Sequence, residues 1–166
     1  MSLLYYANVT IHVLAAMLWL GGMFFLGVVG APVLRAVEPP ALRQRLFQTL
    51  GTRARDAGWW AIAVLLVTGV ANLHFHGWLH WDGVLGSAEF WRTGTGHALA
   101  VKLIAVAAML AVSVTHDFIL GPMAGRAAPG SPGTVVLRRR AALLARANAL
   151  IGVVVVIAAV RLARGG

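Results

Sequence analysis

The chain has no cysteine. That excludes disulfides, thiolate metal sites and iron–sulfur clusters, and says nothing about compartment. Charge is also scarce: 11% of residues are Asp, Glu, Lys or Arg, against about 25% in an ordinary soluble domain. Only five of the 166 residues are acidic, and Lys102 is the one lysine. So few charges cannot cover a soluble core. No strand alternation, low-complexity tract or soluble extension is visible. The first apolar segment lacks a basic leader and a small-residue cleavage site, so it reads as a retained helix rather than a removed signal peptide.

What is present is apolar. Hydrophobic residues make up 60% of the chain, and they fall into four runs long enough to cross a bilayer. The expected fold is an all-α integral membrane protein, an antiparallel four-transmembrane-helix bundle forming one domain over residues 1–166. Helix 1 is expected from Leu4 to Ala31, ended by Pro32 and Pro39-Pro40. A short surface helix is expected from Ala41 to Thr52. Helix 2 follows from Ala57 to Phe75, with Trp59-Trp60 as an interfacial anchor. Helix 3 runs from Gly96 to Leu120 and stops at Gly121-Pro122, and helix 4 runs from Ala141 to Val160. The connection from Ala124 to Arg140 is rich in Gly, Pro and Arg and reads as flexible at its centre.

The net charge of +9 does not point to nucleic acid, because the arginines sit in short loops between apolar runs, where they set topology. The loops after helices 1 and 3 are basic. The loop between helices 2 and 3 is acidic and aromatic. The positive-inside rule places the basic loops in the cytoplasm, and both termini and the histidine-rich loop outside.

The stretch from His12 to Phe25 organises the rest. His12 opens an apolar run, Trp19 follows on the same helical face, and Gly21-Gly22 remove bulk so that a neighbouring helix can approach. An ionisable group inside such a run is costly and is a functional hypothesis by default. In the expected topology His12, His74 and His97 lie near the outer ends of three helices. His116 lies about 28 Å beyond His97 at the helical rise, at the opposite edge, where with Asp117 it reads as a polar pair. One histidine-rich centre near the outer face is therefore expected.

Two chemistries suit it. A b-type haem would take His12 with His97 or His74 as axial ligands, with Trp19, Met23 and Phe25 as wall residues. A copper site would draw on His12, His74, His76 and His97, with His80 close by at the mouth. His74 and His76 face different ways on a regular helix. Each histidine also has a plainer reading: a hydrogen bond to the next helix for His12 and His97, and a solvated loop position for His80. Lys102 lies deeper than a helix-end lysine needs to. It either snorkels outward or binds a carboxylate or propionate or moves a proton. The methionines read as packing.

Three motifs carry a resemblance. They are His12-x6-Trp19-Leu-Gly21-Gly22, then Arg55 followed by Leu66-Val-Thr68-Gly69-Val-Ala-Asn72, then Thr95-Gly96-His97-Ala-Leu99-x2-Lys102-Leu103. In this order they resemble the copper-resistance D (CopD) domain family of bacterial inner-membrane proteins. The helix-1 start and the helix-3 lysine are also similar to HemJ-type protoporphyrinogen oxidases, small four-helix proteins thought to bind haem b. The first resemblance implies copper binding, uptake or tolerance at the inner membrane. The second implies haem b and electron transfer from quinol or porphyrinogen, with a quinone as partner. Both carry over to His12 and Lys102. Pairing with a second copy would bring the chain to the longer span of many copper-resistance D proteins. The third expectation is a structural or assembly subunit whose histidines only form hydrogen bonds.

Overall fold

The structure is a computed structural model and describes residues 2–79, 83–126 and 132–166. It is helical, with no strand among the described residues. Among the described residues, four helical runs are long and apolar enough to cross a membrane: Leu3–Arg35, Pro40–Phe75, Gly94–Met123 and Val135–Ala163. The chain divides into two compact units, Met1–Ser87 and Ala88–Gly166.

In the first unit α1 (Leu3–Phe25) starts at Ser2, whose side chain accepts from the Tyr5 N–H. A π-helical turn, Leu26–Gly30, leads into α2 (Ala31–Arg35). Pro32 therefore does not end the helix. It sits in the first turn of α2, where a missing N–H costs nothing, after a turn in which the regular ladder is already interrupted. The helix α3 then runs unbroken from Pro40 to Phe75. The separate surface helix over Ala41–Thr52 and a start at Ala57 are both corrected by this. Pro39 and Pro40 stand at the N-cap and first turn, and no further proline follows before the helix ends at Phe75. At 1.5 Å per residue α3 is about 54 Å long, well beyond the roughly 30 Å of a hydrocarbon core. Its first half carries Arg43, Arg45, Arg53 and Arg55, and its apolar half begins near Trp59-Trp60. Arg43 pairs with Glu38 at 3.4 Å and Arg55 with Asp56 at 2.9 Å. The contacts Asn8–Asn72 and His12–Thr68 show that α1 and α3 run antiparallel.

A 3₁₀ turn, Val84–Gly86, lies at the end of the first unit, and another, Phe90–Arg92, opens the second. There α4 (Gly94–Val114) is capped by the Thr93 side chain, a π-helical turn covers Thr115–Leu120, and α5 is Gly121–Arg126. Gly121-Pro122 again opens a helical turn instead of stopping one. The last helix, α6, spans Pro132–Ala163, so it starts before the expected Ala141 and takes in Arg138-Arg139-Arg140. The centre of the expected flexible connection, residues 127–131, lies outside the described residues, as does His80. Antiparallel packing of α4 on α6 is fixed by Thr95 Oγ1 donating to the Gly165 carbonyl at 2.7 Å and Asn148 Nδ2 donating to Ser113 Oγ at 2.9 Å.

Candidate functional site

The α1–α3 seam holds a ladder of polar contacts. Asn8 Nδ2 donates to the Thr68 carbonyl at 3.1 Å and to Asn72 Oδ1 at 2.9 Å. One turn on, His12 Nδ1 lies 2.7 Å from Thr68 Oγ1. The Thr68 hydroxyl donates to the Val64 carbonyl at 2.6 Å. A hydroxyl has one proton to give. With it directed at Val64, Thr68 accepts from His12, and Nδ1 carries the ring proton. In the neutral ring the lone pair is then on Nε2. An acceptor at Nδ1 fixes the tautomer, the part that carboxylates, carbonyls and waters play for metal-ligating histidines; here the acceptor is a hydroxyl.

Small residues on α3 make room for this face of α1. A Cβ at Gly69 would meet His12 Cε1 at 3.7 Å, and one at Gly58 would meet Trp19 Cδ1 at 3.9 Å. Trp19 is 8% exposed. The glycines expected to permit close approach, Gly21 and Gly22, do not serve that purpose: a Cβ at either meets nothing within 4 Å. The helix rotation turns them off the seam that Ala15 and Trp19 define.

His74 and His12 do not share a level. His12 lies beside Thr68, and His74 is a further turn and a half along α3, about 9 Å higher and rotated by about 240°; its side chain is exposed. His76 ends α3, with Nδ1 donating to the Asn72 carbonyl at 2.7 Å. Its ring lies 5.0 Å from Trp78 and 5.9 Å from Tyr5. Among the described residues no three His, Asp or Glu side chains gather into a metal-binding group.

In the second unit His97 is exposed and lines a cleft of about 460 Å³ with Arg161, over apolar walls that include Val101 and Val154. Lys102 is half-buried on the packed stripe of α4, between Leu99 and Ala105, which are 2% and 8% exposed. His116 Nδ1 and Asp117 Oδ1 lie 2.7 Å apart. Reasoning from histidines alone missed Asn8 and the buried Ser113–Asn148 pair, 5% and 6% exposed. The available signal was asparagine inside an apolar run, a costly placement without a partner.

The profile of the family described as Copper resistance protein D matches residues 52–162. The chain belongs to the copper resistance protein D family. The segment matched to Copper resistance protein D includes Thr68, Asn72, His97, Lys102 and all but the last residue of α6, and leaves His12 and Trp19 on its N-terminal side. An uncharacterized protein of Aquifex aeolicus (strain VF5) is 38% identical over 65 residues, which is 39% of this chain and 44% of that protein. This copper resistance D chain is thus matched to less than half of that relative's length. No solved structure gives a significant match. Four membrane-spanning helices and the family together make this a multi-pass membrane protein.

Proposed function

We propose that this protein handles copper at the bacterial inner membrane, binding the ion for uptake or tolerance, with His12 as the anchoring ligand. The observation that carries the reading is the His12–Thr68 hydrogen bond, in a chain of the copper resistance D family. That bond directs the proton to Nδ1 and puts the neutral ring's lone pair on Nε2, and imidazole suits copper. His97, His74 and His76 are the candidates for further imidazole ligands. Lys102 has a charge or proton role and is not itself a ligand. The arginine pattern supports a single membrane domain with both termini and His12 toward the outer side.

Metal analysis and a visible spectrum of one purified sample test this. Copper should bind near stoichiometrically, with no reducible haem band, and His12→Ala should weaken the binding. A haem band lost in His12→Ala would replace copper by haem b. A protein that binds neither group, and tolerates alanine at His12, His74 and His97, would leave only an assembly subunit.

A further inference from the structure

The two units repeat one design. Each opens on a hydroxyl cap: Ser2 accepts from the Tyr5 N–H, and Thr93 from the Gly96 N–H. Each first helix runs into a π-helical turn, Leu26–Gly30 or Thr115–Leu120. An α-helical segment follows, with Pro32 or Pro122 as its second residue. A long helix, Pro40–Phe75 or Pro132–Ala163, then returns antiparallel. The interval that carries Pro32 onto Pro122 also carries Ala15 onto Ala105, each 8% exposed, and Trp19 onto Met109, 8% and 5% exposed. It carries Thr68 onto Ala158, 7% and 3% exposed. Long π-helical turns are rare. Two of them at matching places, above matching buried stripes, mark an internal repeat of the kind common in membrane transport proteins.

The same interval carries His12 onto Lys102, and both side chains are half-buried. The register agrees. The Thr95–Gly165 and Ser113–Asn148 hydrogen bonds place Lys102 level with Ala158, as His12 is level with Thr68. We infer that Lys102 and Ala158 are the second unit's copy of the His12–Thr68 site, and that Lys102 keeps that copy closed to metal cations. The second half of this rests on the copper reading above. An ammonium group has three donors and no acceptor, so it offers no lone pair. Its charge repels an arriving cation. Ala158 has no hydroxyl with which to hold an imidazole in one tautomer. One fold element repeated twice thus presents a ligand in one unit and a barrier in the other.

The test is to transplant the first site into the second, Lys102→His with Ala158→Thr, in the full-length protein. Titration with copper(II) should then show one more equivalent than the wild type. Imidazole 15N spectra should show a second ring protonated at Nδ1 and hydrogen-bonded as His12 is. The reciprocal variant, His12→Lys with Thr68→Ala, should lose the original equivalent; it keeps the question open to test if the first variant does not fold. A folded Lys102→His, Ala158→Thr protein with no added copper, and with a solvent-averaged ring at position 102, overturns the inference. A reciprocal variant that still binds copper like the wild type overturns it too. A wild type that binds no copper defeats only the copper reading. The 15N spectrum of the transplant then decides the correspondence: a second Nδ1-protonated, hydrogen-bonded ring upholds it, and a solvent-averaged ring ends it.

Discussion

At the scale of single residues, the Thr68 hydroxyl decides what His12 can do. It gives its proton to Val64 and receives one from His12. Thr68→Val keeps the shape and removes the acceptor. Copper affinity should fall by about 10–100-fold, the usual effect of losing an outer partner of a ligating histidine. Thr68→Ser should retain most of it. Isothermal titration of the two variants checks this, and equal affinities would remove Thr68 from the site. Coordination also needs the neutral ring, since a proton on Nε2 occupies the lone pair. Affinity should therefore fall as pH drops through the range where imidazole titrates, and titrations at stepped pH read it directly. His12 as a costly intramembrane group was legible from its place in an apolar run. Its pairing with Thr68 was not, because the two are far apart in sequence and meet only when α1 and α3 pack.

At the scale of elements, the glycines sort by what faces them. A Cβ at Gly96 would overlap the Phe90 carbonyl, where the 3₁₀ turn folds back on the start of α4. Gly96→Ala should destabilise the protein by about 1–3 kcal/mol, as overpacking does. Gly21→Ala and Gly22→Ala should not lower the thermal unfolding temperature in detergent and should raise it slightly, because nothing lies within 4 Å of the added methyl and alanine favours a helix interior over glycine. Comparable losses at all three positions would contradict the packing. In the α4–α6 seam, Asn148→Ala removes the hydrogen bond to Ser113. Buried polar pairs between membrane helices average about 0.6 kcal/mol and reach about 1.7, so a loss in that range is expected from the same unfolding measurement. The prolines misled the reading of helix ends. Pro32 and Pro122 sit inside continuous helical runs, each just after a π-helical turn, and Pro40 opens a helix, so a proline's letter alone does not mark a stop.

At the scale of the whole molecule, the arginine pattern predicts the orientation. Single cysteines at Ser2, Ser87 and Gln48 can be labelled with an impermeant thiol reagent in intact spheroplasts, since the chain has no cysteine of its own. Ser2 and Ser87 should react, and Gln48, on the basic half of α3, should not. Labelling of Gln48 alone would turn the molecule over and put His12 toward the cytoplasm.

Composition and hydropathy by themselves determined the class: four apolar runs, too few charges for a soluble surface, and no thiol chemistry. The physical reason is that bilayer crossing is a local property of about 20 consecutive residues. The helix-2 and helix-3 motifs, which lie inside the matched segment 52–162, also carried the family; the helix-1 motif lies outside it. What only the tertiary structure decided depends on register between helices. It placed Thr68 rather than another histidine beside His12, and seated Trp19 against Gly58 instead of using Gly21-Gly22. It also brought Lys102 to the level of Ala158. A side chain's partner is set by how two helices slide and rotate against each other. The two units share few residue identities at equivalent positions, so the repeat shows in their π-helical turns and matching burial, which a string of letters does not display.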